Sequence, residues 1–362
     1  MTRLTRRIAD TIAASGPIGV ADYMALCLFD PLDGYYTTRE PFGRDGDFVT
    51  SPEISQMFGE IVGVWLVSAW RTLGAPTRIT IAEIGPGRGT LMRDALRTIG
   101  KIAPDLAAAA GIAMIETSPR LTAVQRATLG DAAARMAWHT GIDALPARPL
   151  LIVANELFDA VPIRQYVKTE GGWRERLVGL DETGGLAFVA GPGSVDIALL
   201  PPGASEAPAG GIAEIAPART AMMDTIAARI AGQGGAGLFI DYGYAAPAVG
   251  DTLQALRAHE FDGVLAHPGE ADLTAHVDFA ALAAEAQRHG LETCLFSQGE
   301  FLLRMGLLER AGRLGAEASE AVRDRLRGDV ERLAGPDAMG ELFKALCVAP
   351  AGRLPAPFAA SH

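Results

Sequence analysis

Lysine is almost missing from this 362-residue chain, which has Lys101, Lys168 and Lys344 and otherwise uses arginine. Together with alanine runs such as "LAAAAG", this bias reads as the composition of a GC-rich genome. Basic charge is short overall: Lys and Arg number 32 against 43 Asp and Glu, a formal charge of -11. Polyanions are normally met by a basic face, so no nucleic acid is expected as a partner. A negative surface instead suits cationic ligands. Cysteine is scarce. Cys27, Cys294 and Cys347 stand far apart in apolar company with no CxxC, which excludes a disulfide framework or thiolate metal site and reads as reduced core thiols. No apolar run approaches the roughly 18 residues that span a bilayer, so membrane insertion is not expected. His259, His267, His276 and Asp278 match no common ligand spacing such as H-E-x-x-H, so no metal is expected.

What is present describes an ordered globular protein: 49% hydrophobic and 21% charged residues, in a chain longer than one typical domain. The start, "MTRLTRRIADTIAASGPIGV", has the arginines of a presequence. Asp10 and an apolar rhythm at Leu4, Ile8 and Ile12 favour a folded first helix instead. A bacterial-type cytoplasm is the expected compartment. Helices are expected over 4–15 and 20–28. The turn-rich stretch "DPLDGYYTTREPFGRDGDFVTSPE" then leaves no room for regular structure. A loop that long in a compact protein tends to be functional. A helix over 54–73 carries Phe58, Trp65 and Trp70 as core residues.

From there strands and helices alternate, the pattern of a parallel sheet covered on both faces. Strands are expected at 79–84, 112–116, 136–139, 150–155 and 236–243, with a final pair at 291–297 and 343–349. Helices fall at 90–99, 119–129 and 217–231. Residues 164–211 read as short alternating strands with their own small core around Trp173, and residues 298–335 as helical.

The densest signal is "ITIAEIGPGRGTL", an apolar run ending in an acid and then three glycines at alternate positions. After a parallel strand, glycines let the backbone approach a ligand and turn into a helix whose first amides face it. The third glycine comes one residue too early for the dinucleotide fingerprint G-x-G-x-x-G, and no Lys-Ser/Thr pair follows to make a phosphate loop. The remaining pattern, Glu83-x-Gly85-Pro86-Gly87-x-Gly89, suits S-adenosylmethionine, with Gly85 and Gly87 against its methionine part. Glu116, ending the next strand, stands where an acid would accept bonds from the ribose hydroxyls. Helix capping is the plainer role for Glu83 and Glu116 and is compatible with binding. The strand ending in "VANELFDAVPIRQY" places Asn155, Glu156 and Asp159 at the rim where doubly wound sheets hold ligands. Further acids, Asp47, Glu53, Glu214 and Asp241, lie where loops could bring them near.

Six stretches, "DPLDGYY", "GDFVTSPEISQMFGE", "EIGPGRGTL", "NELFDAVP", "DLTAHVDF" and "QGEFLLRMG", together resemble the MidA family. These are relatives of the arginine methyltransferase that assists assembly of respiratory complex I. The resemblance covers roughly residues 4–349, with departures at Ala216, where the family usually has Ser, and in "DTLQALRAH". It implies an α/β fold: a Rossmann-like class I methyltransferase sheet with an N-terminal helical segment, a small β insertion and a helical insertion before the last strand. The expected layout is a segment 1–73 covering the cofactor site, a core in two parts, 74–163 and 212–349, a β insertion 164–211, a helical insertion 298–335 and a tail 350–362. It implies S-adenosyl-L-methionine as cofactor, bound through Glu83, Gly85, Pro86, Gly87, Gly89, Glu116 and Asn155. It implies methyl transfer to an arginine of a protein, a complex I subunit in the family, giving symmetric dimethylarginine. Carboxylates bonded to a guanidinium would align it and offset its charge; Glu156, then Asp159 and Glu53, are the candidates. Asp47, Glu214, Asp241 and His276 are candidates for the acceptor side. A small-molecule methyltransferase and a non-catalytic assembly chaperone that binds the cofactor are the alternative readings.

Overall fold

The computed structural model describes residues 2–39 and 49–359 and divides the chain into two compact units. The larger comprises residues 49–157, 222–245 and 279–362. Ile79–Ile84 and Leu150–Asn155 are apolar runs buried along nearly their whole length, which is what strands covered on both faces require. They lie in a sheet ordered Leu291–Ser297, Phe343–Pro350, Gly235–Tyr244, Leu150–Asn155, Ile79–Ile84, Ala110–Ile115, Met136–His139. Pairing is parallel from Gly235–Tyr244 through Met136–His139, while Phe343–Pro350 runs antiparallel to both its neighbours. The α/β sheet expected from the sequence is present and mostly parallel, with the antiparallel Phe343–Pro350 making it mixed. Ile79–Ile84 is followed in the chain by the strand on one side of it, and Leu150–Asn155 lies on the other, so the strand order reverses there. Ligands of doubly wound sheets bind at such reversals, outside the carboxyl ends of the strands.

The helices that cover the sheet start and stop for local reasons. Thr90–Ile102 begins at Gly89, whose left-handed φ of 81° only glycine adopts without strain. Pro119–Leu129 has Pro at its first position and a Ser118 hydroxyl accepting from Leu121 N at 3.3 Å. Gln56–Thr72 buries Phe58, Trp65 and Trp70, and its Gly59 and Gly63 lie one turn apart against Thr90–Ile102. A Cβ on Gly59 would stand 2.8 Å from Asp94 Cβ, and one on Gly63 2.8 Å from Ala95 O. Two backbones therefore touch there.

The expected helical stretch near the C-terminus carries Gln298–Arg304, Leu307–Gly315 and Glu320–Ala334. It is fastened by Arg310, which grips the buried Glu60 carboxylate through two nitrogens at 2.6 and 2.8 Å. Arg97 reaches the same carboxylate at 3.2 Å and Asp94 at 3.2 Å, and Arg93 donates to Asp94 at 3.0 Å.

The smaller unit comprises residues 1–48, 158–221 and 246–278. Helices Arg3–Ser15 and Val20–Phe29 bury Leu4, Ile8 and Ile12 with Tyr23, Met24 and Leu28. An antiparallel sheet holds Ile18–Gly19, Gly172–Leu180, Arg164–Thr169 and Ile212–Ile215 in that order, with Leu186–Ser194 paired to Gly172–Leu180. Trp173 packs with Tyr166 and Leu200 and donates its indole N–H to Ala204 O at 3.0 Å. The turn-rich stretch after residue 29 is more regular than expected, with short helices Tyr35–Thr38 and Ser51–Ile54. The first has a local cause. The Asp30 carboxylate accepts from Leu32 N and Asp33 N, and Thr37 Oγ1 donates to Asp30 O, so the turn is closed from within. In the second, Pro52 sits in the first turn, where it fits. Among the described residues no helix is long and apolar enough to cross a membrane.

The close helix contact yields a test. Gly63→Val should lower stability by about 2 kcal/mol through overpacking, read as a shifted denaturant midpoint. Gly100→Ala, on the neighbouring helix with nothing within 4 Å of a new Cβ, should be neutral or slightly stabilising.

Candidate functional site

The reversal in strand order sets three strand ends side by side. Ile79–Ile84 runs into Gly85, whose N–H is bonded to Ile115 O at 3.1 Å. Ala110–Ile115 runs into Glu116, and Leu150–Asn155 into Glu156. The glycine loop is shaped by its backbone: Gly85, Gly87 and Gly89 have φ of 62°, 50° and 81°. A Cβ on Gly85 would approach Leu157 Cδ1 to 2.9 Å, so a side chain is excluded there by strain and by space.

The acids around this loop differ in how they are satisfied. Glu83 is buried and accepts a hydrogen bond from the Met92 backbone, in the first turn of Thr90–Ile102. Its Oε2 is buried with no hydrogen-bond partner among the described residues. Burial pushes its carboxyl from the ordinary 4.5 up to about 8, the Met92 bond opposing. Glu116 accepts from Ser118 N at 2.7 Å and Gln125 Nε2 at 2.9 Å, and burial raises its pKa despite both bonds. Two oxygens offer about four acceptor positions, so these bonds leave room for ligand hydroxyls.

Gln125 was not foreseen from the sequence. Its Nε2 also donates to Gly87 O at 2.9 Å and its Oε1 accepts from Trp138 Nε1 at 2.9 Å. One amide thus ties the glycine loop, Glu116 and the next strand together. No local pattern marks it, since its partners come from three separate segments, 9, 13 and 38 residues away in sequence.

Glu156 adopts φ of 51°, a left-handed conformation uncommon outside glycine. Its N–H donates to Ile240 O at 2.8 Å, and its Oε1 accepts from Ser51 N at 3.1 Å and Asn155 Nδ2 at 2.8 Å. Asn155 Oδ1 is buried with no hydrogen-bond partner among the described residues. Asp241 accepts from Leu157 N at 3.1 Å, next to Glu156. Glu53 Oε1 accepts from Thr90 Oγ1 at 2.5 Å and lies 3.8 Å from Arg88. Glu53, Arg88 and Thr90 also line a cavity of about 420 Å³ whose other wall includes Leu314, Arg325 and Asp329.

Glu83, Gly85, Pro86, Gly87, Gly89, Glu116, Asn155, Glu156, Glu53 and Asp241 are therefore gathered in the larger unit. Asp159, Glu214 and His276 belong to the smaller one. There Arg219 donates to the backbone oxygens of Asp159 and His276 at 3.0 and 2.7 Å. Glu214 accepts from Gln165 Nε2 at 2.7 Å and from Thr252 N and Oγ1 at 3.0 and 2.5 Å. Asp47 lies outside the described residues.

The orphaned oxygens of Glu83 and Asn155, and the side-chain-free bend beside them, fit a ligand that brings an ammonium group and hydroxyls. Comparison with known proteins agrees. Residues 61–297 match the model of the S-adenosyl-L-methionine-dependent methyltransferase family. The chain belongs to that family. It is 35% identical over 380 residues to the protein arginine methyltransferase NDUFAF7 homolog, mitochondrial, of Drosophila melanogaster, covering 96% of this chain and 85% of the relative. Identity is 32% to the human protein arginine methyltransferase NDUFAF7, mitochondrial, covering 98% and 85%. A crystal structure from Burkholderia thailandensis with S-adenosyl-homocysteine bound superposes with a TM-score of 0.82 at 29% identity, covering 96% of this chain and 91% of that one. The resemblance read from the motifs, the fold, the cofactor and methyltransferase activity all stand. One expectation is corrected: the curated relatives are mitochondrial proteins, so the bacterial-type cytoplasm does not. Reduced cysteines and an uninterrupted first helix are equally at home in a reducing organelle compartment, so they never distinguished the two.

Glu83 makes the loop sensitive to pH. Its folded value lies above its unfolded one, so the folded state holds the proton between pH 4.5 and about 8. Stability should therefore fall as pH rises through that window and should be fully restored below it. Glu83→Gln, neutral throughout, should flatten this dependence in thermal melts without cofactor. Parallel pH profiles for the two proteins would show that Glu83 does not hold the proton.

Proposed function

We propose that this methyltransferase modifies an arginine side chain of a protein, as the names of its relatives say of them, and that the acceptor is a complex I subunit, as the resemblance to the MidA family implies. The observation that carries the reading is Glu156 at the end of Leu150–Asn155, with a left-handed backbone and a carboxylate held by two hydrogen bonds.

Glu83, Gly85, Gly87, Gly89, Glu116 and Asn155 are assigned to S-adenosylmethionine, with Pro86 stiffening the bend. When bound, this cofactor supplies a methyl group on a sulfonium leaving group. The chain's own task is then alignment and electrostatic fit. Guanidinium remains protonated at any accessible pH, its pKa lying above about 12. Carboxylates bonded to two of its nitrogens fix its plane and leave electron density on the third. Glu156 suits that role because Ser51 N and Asn155 Nδ2 hold its carboxylate in one orientation. Glu53, anchored by Thr90 at the start of the loop helix, is assigned to the acceptor side, and Asp241 to holding the Leu157 turn. Glu214 is assigned to bracing the loop at Thr252 rather than to the acceptor.

Glu156→Gln should leave cofactor affinity within a few-fold by calorimetry and lower turnover by about a hundredfold, equivalent to about 2.7 kcal/mol of transition-state stabilisation. Turnover is read by incubating the protein with methyl-labelled cofactor and extract from cells lacking it, with mass spectrometry of the labelled band. Label on dimethylarginine supports the acceptor class. Label on a small molecule alone overturns it, and full turnover in the variant removes Glu156 from the chemistry.

A further inference from the structure

The cysteines that look isolated in the sequence are not all isolated in the fold. Leu291–Ser297 and Phe343–Pro350 pair antiparallel, and their register sets Cys294 directly opposite Cys347. Opposed residues in such a pair project to the same face with Cα atoms about 4.5 or 5.5 Å apart. Both separations lie within the roughly 4.4–6.8 Å that a disulfide spans. Both residues are free thiols; Cys347 is buried and Cys294 half-buried at the edge strand of the sheet. Methyl transfer uses neither.

We propose that Cys294 and Cys347 form an oxidisable dithiol, which a hydroperoxide converts to a cross-strand disulfide locking the last strand to the edge strand. Cys294, which reaches solvent, reacts first. Its sulfur attacks one peroxide oxygen, the O–O bond breaks, and the thiol proton ends on the departing oxygen, giving a sulfenic acid plus water or an alcohol. The Cys347 sulfur then attacks the Cys294 sulfur. The S–S bond forms, the S–O bond breaks, and hydroxide leaves with the Cys347 proton as water. Two thiols are oxidised by two electrons and one peroxide is reduced. Burial raises both thiols, and the carboxylates of Glu300 and Glu292 add to the effect at Cys294. Thiolate is therefore scarce at neutral pH, which makes the pair slow to oxidise and suited to sustained rather than transient exposure. The bond closes the whole helical stretch 298–335 into a covalent loop, restricting the unfolded chain.

The full chain treated with hydrogen peroxide, alkylated and digested without reductant tests this. A peptide pair joining Cys294 to Cys347, two hydrogens lighter than its parts, is expected. Titratable thiols should fall from three to one, and the melting temperature should rise by several degrees, reversed by dithiothreitol. Cys27, buried in the other unit, should remain a thiol, and Cys27→Ser should cross-link as the parent does. Three surviving thiols, sulfinic acid on Cys294 without a cross-link, or links through Cys27 or between chains would each overturn the proposal.

Discussion

A single strand with parallel neighbours on both edges governs the architecture of the site. Ile79–Ile84 pairs with Ala110–Ile115 on one side and Leu150–Asn155 on the other, and all six of its residues are buried. The strand order reverses at this strand, and the carboxyl ends of strands at such a reversal are where doubly wound sheets hold ligands. The backbone emerging there carries glycines because Gly85 has neither the torsion nor the space for a side chain. Gln125 then holds the loop by its Gly87 carbonyl while holding Glu116 by its carboxylate. Loop and acid cannot move independently, which is what a ligand touching both requires.

Glu156 expresses the same constraint at the next strand end. A left-handed non-glycine residue costs on the order of 1–3 kcal/mol and persists only when its surroundings over-determine it. Here the backbone bond to Ile240 fixes the turn, and Ser51 and Asn155 fix the carboxylate. Strain of this kind, held by three separate contacts, is more readily explained by the need to aim a carboxylate than by folding. A glycine at 156 would have made the turn without cost.

The core strands were legible from sequence because fully buried parallel strands read as unbroken apolar runs between Gly, Pro and Asp, and several bounds agree to the residue, as at Ile79–Ile84 and Leu150–Asn155. The positions of Glu83 and Glu116 at strand ends were legible because each lies in or directly after an apolar run, Ile79–Ile84 and Ala110–Ile115. Gln125 was not, since its importance arises from where helix Pro119–Leu129 lies relative to Gly87 and Trp138. The facing of Cys294 and Cys347 was also hidden. It depends on the antiparallel return of the last strand, and periodicity within a strand does not encode the register between strands. Asp30 illustrates a third case: its cap turned an expected loop into a helix at Tyr35–Thr38 through bonds spanning only a few residues, which turn composition alone does not reveal.

A charged network joins the loop helix to Gln56–Thr72 and to the helical stretch near the C-terminus. Arg97 is shared between Asp94 and Glu60, and Arg310 grips Glu60 from the helical stretch. Buried carboxylates are costly to desolvate, and losing one cation from such a set leaves a buried negative charge less compensated. The helix that begins at Gly89 is therefore held in its first turn by Glu83 at Met92 and further along by Arg97, which pairs with Glu60 of Gln56–Thr72, while Asp94 accepts from Arg93 and Arg97 of the same helix. Without Arg310, Arg97 would be the remaining cation bonded to Glu60 among the described residues. The helical stretch before the last strand is thus joined to the helix that follows the glycine loop through one shared carboxylate, Glu60, even though it lies outside the parallel core.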